Sequence, residues 1–318
     1  MISLFRKILN YTKSMIIRLP PLNKLSQECY ELYQTVDSLK KELGHQFVPP
    51  GHFYSPIPAI AEIELLENDL FRNIPIFIPG INLNEDKQWF FYNIFLLYYH
   101  DIPFQDHKID NLRYFYENKS YPHSDAMCLF CMIRHAKPNK IIEVGSGYSS
   151  CAILDTNDLF FNGAIHTTFI EPYPDLFLSL INDSDKQKIN LIPKKLQDVP
   201  LDVFRSMEKN DMLIIDSSHV SKIGSDVNYI VFDILPNLKS GVFIHFHDVF
   251  YPFEYPKEWI YEGRAWNEQY LLRAFLQYNN QFEIVFFNSY LAAFHRDRLQ
   301  REMPLCLKLG GSIWIQKL

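Results

Sequence analysis

The sequence predicts a doubly wound α/β domain on a mostly parallel sheet of seven strands, preceded by a helical extension. Three observations carry this reading. Short apolar runs rich in β-branched residues recur from Ile141 onward and alternate with helical patterns, as buried parallel strands do. A glycine turn, Glu143-Val144-Gly145-Ser146-Gly147, joins the first run to a helix. Acids and histidines then stand at the ends of later runs, on the edge where doubly wound sheets bind ligands.

The chain has 318 residues, enough for one large α/β domain with an appended segment. A hydrophobic content of 47% with 15% aromatics describes a packed core rather than a disordered chain. The formal charge of -6 argues against a nucleic-acid binder, which needs a basic face. Five cysteines without regular spacing fit a reducing compartment, so the expected location is the cytoplasm. Cys128 and Cys131 sit in an apolar helical run and read as core.

Three segments are expected: a basic amphipathic helix and helical arm over 1–48, an irregular then helical cap over 49–119, and the ligand-binding domain over 120–318. Residues 1–24 hold Arg6, Lys7, Lys13, Arg18 and Lys24 among apolar residues, too short and too charged to span a bilayer. They suit a helix lying on an anionic membrane surface, at the inner face, or a solvated tail. Pro20 and Pro21 are expected to end it. Leu25, Tyr30, Leu32, Tyr33, Val36 and Leu39 then follow at roughly helical spacing up to Gly44, which suits a short coiled-coil arm. Prolines between Pro49 and Pro79 predict irregular chain. A mostly helical layer is expected from Asn84 to Arg134, its aromatic run Trp89–Tyr99 serving either the core or an acceptor pocket. Asp125, at the start of the helix leading into the glycine strand, is either a site residue or a first-turn acid favoured by the helix dipole.

Ile141, Ile142 and Val144 make the first strand. Gly145 and Gly147 let the backbone turn sharply and approach a ligand, and Ser149 or Ser150 can cap the helix that follows. A dinucleotide fold would place a third glycine at position 150, where Ser150 stands. Glu143 suits a cationic group. The second strand, His166 to Ile170, ends in Glu171, where doubly wound folds place a carboxylate on ribose hydroxyls. Ile189 to Ile192 is the third strand, before Gln197 and Asp198. Met212 to Ile215 delivers Asp216 and, three residues on, His219, whose imidazole suits proton abstraction near neutral pH. A helix runs from Asp226 to Leu235. Val242 to Phe246 delivers His247 and Asp248, with His245 on the same side as His247. Asp216, His247 and Asp248 are thus a candidate metal cluster. Trp266-Asn267-Glu268 opens a helix to Leu276 that could close over the acceptor, and strands at 282–287 and 312–316 complete the set.

The Glu143-x-Gly145-x-Gly147 turn resembles the first motif of the class I methyltransferases, which wraps the methionine part of S-adenosylmethionine. From residue 120 onward the order of motifs is similar to the metal-dependent O-methyltransferases of the catechol and macrocin type. The resemblance implies a Rossmann-like methyltransferase fold with an antiparallel last strand. It implies S-adenosylmethionine on Glu143, Gly145, Ser146, Gly147, Tyr148, Ser149, Glu171, Gln197, Asp198 and Asp216. It also implies a divalent metal, magnesium or a softer ion, on Asp216, His247 and Asp248, with His219 as base beside Asp216. The expected reaction is O-methylation of a small-molecule or saccharide hydroxyl. His247 departs from the family pattern, standing where a carboxylate or amide is usual, and magnesium prefers oxygen. A metal-dependent hydrolase or oxygenase built on the same cluster, or a noncatalytic scaffold, remains the alternative.

Overall fold

The fold is that of a computed structural model describing residues 20–42, 44, 47–308 and 310–318. The chain divides after Ile63 into two compact units. In the first, helix α1 (Pro20–Glu42) begins at the two prolines expected to end a helix. Proline is at home there, because first-turn amides have no helical acceptor to lose. The amphipathic helix expected before it lies outside the described residues. Helix α2 (Ile60–Phe71) follows an irregular proline-rich stretch. No helix among the described residues is long and apolar enough to cross a membrane.

The second unit is built on a seven-stranded sheet: β1 (Lys140–Val144), β2 (His166–Ile170), β3 (Asn190–Ile192), β4 (Met212–Ile215), β5 (Phe243–His247), β6 (Phe282–Phe287) and β7 (Ser312–Lys317). Their order is β3-β2-β1-β4-β5-β7-β6, with β7 antiparallel to both neighbours and the other pairs parallel. Every residue of β4 and β5 is buried, which is why both read as unbroken apolar runs apart from the two histidines. Register sets the function of the edge. Val144 pairs with Ile170 and Ile215, and Ile215 pairs with Phe246, so Gly145, Glu171, Asp216 and His247 leave their strands at one level.

The expected helical layer from Asn84 to Arg134 is two helices, α3 (Glu85–Tyr99) and α4 (His123–Ala136), with irregular chain between. Pro103 and Pro122 interrupt helical bonding, and Asn118 turns the chain by accepting from the amides of Ser120 and Tyr121. Arg113 anchors this loop by donating to Asp155, Asp158 and Asp185 at 2.8, 2.7 and 2.6 Å. The aromatic run of α3 serves the core, with Phe91, Tyr92 and Phe95 buried. Cys128 and Cys131 are buried in α4, as expected of apolar helix positions. Helix α5 (Tyr148–Phe161) follows the glycine turn, α6 spans 226–237 with a π-wound middle turn at Ile230–Ile234, and α7 (Glu268–Leu276) and α8 (Asn288–Phe294) flank the last strands.

Candidate active site

Gly145 has φ +81°, and a Cβ there would run into the carbonyl oxygen of Asp216. Both facts demand glycine, because the loop turns left-handed against the end of β4. Gly147, rather than Ser149 or Ser150, is the N-cap of α5. Ser150 sits one turn inside, where its hydroxyl accepts from the Gly147 amide at 3.0 Å and donates to Glu143 Oε2. This explains serine at the position a dinucleotide fold reserves for glycine: it ties the loop to the strand below. Glu143 is fully buried, and burial pushes its carboxyl up to about 8 against the pull of the Ser150 and Ser149 hydroxyls. Its Oε1 and the Ser146 hydroxyl are buried without hydrogen-bond partners in the protein.

Glu171 spans the loop mouth, accepting from the Ser146 amide at 3.2 Å and the Tyr173 amide at 2.8 Å. Tyr148 is half-buried, its ring edge-on to Phe115 at 5.6 Å, and Ser149 is buried. Gln197 and Asp198 lie in a single 3₁₀ turn (Leu196–Asp198), where Gln197 Nε2 donates to the Gly224 carbonyl at 2.6 Å and Asp198 is exposed.

Asp216 and His219 meet as their spacing suggests, with His219 Nε2 3.4 Å from Asp216 Oδ1. The loop bends to allow it: His219 has φ +59°. Its carbonyl accepts from the amides of Asn267 and Glu268 at 3.0 and 3.1 Å, which plugs the start of α7 onto the loop. Across the cleft Asp248, at φ +56°, turns its carboxylate to 3.7 Å from the same Nε2. Non-glycine residues held in this region cost energy and concentrate at functional sites.

His247 is the last residue of β5. Its Nδ1 lies 3.1 Å from Asp216 Oδ1, and its Nε2 lies 3.5 Å from both Asp125 Oδ2 and Asp248 Oδ1. The result is a continuous array, Asp125, His247, Asp216, His219 and Glu268, with Asp248 touching both rings. Four carboxyl groups face two imidazoles. Burial alone would favour neutral rings, but Asp248 and Asp216 hold His247 well above the ordinary imidazole value. His219 is likewise raised to about 10, its burial outweighed by Asp216 and Glu268. Asp216 is the converse: burial would raise it, and the two histidines hold it well below the usual carboxylate range. Burial dominates at Asp248, which rises to about 6. His245 shares the His247 side of β5, the two rings nearly parallel with centroids 6.4 Å apart, but lies deeper against Trp314 and falls to about 3 through burial and the neighbouring His247.

Donor atoms of Asp216, His219 and Asp248 converge within 4.8 Å of one another. Two carboxylates and an imidazole suit a transition ion or manganese better than magnesium. The expected ligand set paired the two acids with His247 instead, whose ring is directed at the carboxylates of Asp125, Asp216 and Asp248.

Sequence reasoning placed Glu268 at a helix start and gave it no chemistry. In the structure it is buried, accepting from Ser217 Oγ at 2.8 Å through Oε1 and facing His219 Nδ1 at 2.8 Å through Oε2. Trp266 packs on the His219 ring, centroids 4.3 Å apart. The signal was the run Trp266-Asn267-Glu268, whose acid falls where a helix dipole alone explains it. Asp125, weighed for the site or for the helix start alone, lies against His247: fully buried, it accepts from Asn288 Nδ2 at 3.1 Å and the Gly311 amide at 3.2 Å.

Residues 142–249 match a sequence family described as a methyltransferase domain. An uncharacterised protein of Archaeoglobus fulgidus is 36% identical over 177 residues, covering 55% of this chain and 79% of the archaeal one. Among solved structures, the chain is similar to the SAH-bound Podospora anserina methyltransferase PaMTH1, with 14% identity, TM-score 0.40, and 86% and 99% of the two chains covered. It is also similar to an O-methyltransferase from Bacillus cereus in complex with SAH, with 11% identity, TM-score 0.39, and 81% and 97% covered.

Proposed function

We propose that the chain, whose residues 142–249 match a methyltransferase domain, is a class I S-adenosylmethionine-dependent methyltransferase that methylates a hydroxyl oxygen of a small molecule or sugar with His219 as the base. One observation carries this: the 2.8 Å bond between His219 Nδ1 and Glu268 Oε2. It commits Nδ1 to a buried carboxylate and leaves Nε2, facing Asp216 and Asp248 at the strand edge, as the nitrogen that would take the acceptor's proton.

The glycine loop suits the cofactor's methionine end. Glu143 Oε1 and Ser146 Oγ are buried polar atoms still lacking partners, and an ammonium group would supply a donor. In this reading Glu171, at the end of β2, would accept from the ribose hydroxyls, and Gln197 and Asp198 would contact the adenine. When bound, S-adenosylmethionine supplies the methyl group and leaves as a neutral thioether. His219 Nε2 would take the hydroxyl proton as the acceptor oxygen receives that methyl, so that the product is a neutral ether and the ring carries the proton. Positive charge brought beside Asp216 and Asp248 weakens their hold on the His219 proton, which frees the ring to act as base near neutral pH. Asp216 and Asp248 would also hold a divalent cation, whose chemistry is to lower the pKa of the hydroxyl. In this reading residues 120–318 are the catalytic domain, 49–119 a cap and 1–48 an arm.

The test is transfer from methyl-labelled S-adenosylmethionine to a panel of catechols, sugars and amines. Label in an O-methyl ether is expected, and transfer to nitrogen alone would overturn the hydroxyl assignment.

A further inference from the structure

We propose that α1 pairs with α1 of a second copy of this chain as a parallel two-stranded coiled coil. The inference is independent of the chemistry above. Leu22, Leu25, Cys29, Leu32, Val36, Leu39 and Leu43 alternate at steps of three and four residues, the a and d positions of successive heptads. Leucine fills the d positions at 25, 32 and 39, and the a positions at 22, 29, 36 and 43 hold leucine, cysteine, valine and leucine. A repeat of 3.5 residues, rather than 3.6, keeps an apolar seam facing a partner helix along its whole length.

The structure makes Pro20–Glu42 one 23-residue helix, and its seam is uncovered at the four positions described in its middle. Leu25, Leu32 and Val36 are 57, 63 and 45% exposed, and Cys29 is exposed. A helix draws most of its stability from packing its apolar face, so a seam of this length calls for an occupant.

Charge selects which occupant. Lys24, Lys40 and Lys41 stand against Glu28, Glu31, Asp37 and Glu42, a slightly acidic helix that gains nothing from an anionic lipid surface. In a parallel in-register pair the positions flanking the seam meet without like charges: Glu28 faces position 33 of the second copy, a tyrosine, and Thr35 faces position 40, a lysine. Valine at a with leucine at d favours two strands. The same register sets Cys29 against Cys29 of the second copy. The other cysteines, Cys128, Cys131, Cys151 and Cys306, are buried, so an added oxidant should join two chains through Cys29 alone.

The experiment is analytical ultracentrifugation of the full chain, with mild oxidation followed by non-reducing electrophoresis. Wild type is expected to sediment at twice 37.7 kDa and to give a covalent dimer that Cys29→Ser abolishes. A Leu32→Glu/Val36→Glu variant is expected to sediment as a monomer and give no covalent dimer, with circular dichroism reporting the α/β unit intact. A monomeric wild type overturns the proposal, and its co-sedimentation with anionic vesicles would assign the seam to lipid instead. A dimer that survives Leu32→Glu/Val36→Glu, or one that oxidation does not link through Cys29, also overturns it.

Discussion

His219 and Glu268, 49 residues apart in the chain, share a buried 2.8 Å contact between Nδ1 and Oε2. That contact fixes which imidazole nitrogen faces the strand edge. Glu268→Gln keeps the shape but no longer requires a donor at Nδ1. Turnover should fall by about 10- to 100-fold, the usual cost of losing an orienting partner, with affinity for S-adenosylmethionine unchanged. Glu268→Asp should recover part of the loss. Steady-state kinetics with separate kcat and KM are the check, and equal loss in both variants would make Glu268 merely structural.

His219→Ala should lower turnover by ~10²- to 10⁴-fold, the range for a missing general base. Calorimetry should find cofactor binding intact in the same variant. Unchanged turnover would remove His219 from the mechanism.

Glu143 predicts a pH dependence of stability. Its native carboxyl is raised from 4.5 to about 8, so between those values the folded state holds the proton that the unfolded state releases. Stability therefore falls as pH rises through that window, by at most about 1.4 kcal/mol per pH unit for one proton. Glu143→Gln removes the term. Urea unfolding of the cofactor-free protein at pH 5 and pH 8 should favour the variant increasingly at the higher pH. A difference independent of pH would show Glu143 to be ionised throughout.

Arg113 joins Asp155, Asp158 and Asp185. Arg113→Ala strands buried acids, and such losses cost about 3–5 kcal/mol. A lowered Tm by scanning calorimetry is expected, and an unaltered Tm would mean that the acids find other partners.

The sheet was legible because buried parallel strands leave unbroken β-branched runs, and because Gly145, Glu171, Asp216 and His247 each follow one. Register needs the folded sheet, so that the four leave at a single level could not be read. Asp216 and His219 were legible as a pair because three residues separate them. Glu268 was given no chemistry and Asp125 was left between site and helix start, since an acid in the first turn of a helix is also explained by the dipole and only folding sets each beside a histidine. Prolines at 20 and 21 were read as a stop although they also suit a helix start.

The most direct test of the account is calorimetric titration with S-adenosylmethionine of wild type and Glu171→Ala, with and without a chelator. Micromolar binding by wild type, lost or much weakened in Glu171→Ala, is the predicted result, and a change on chelation would report a cation near Asp216 and Asp248. No binding by a folded wild-type protein would contradict the account and leave the cluster of Asp216, His219 and Asp248 to some other chemistry.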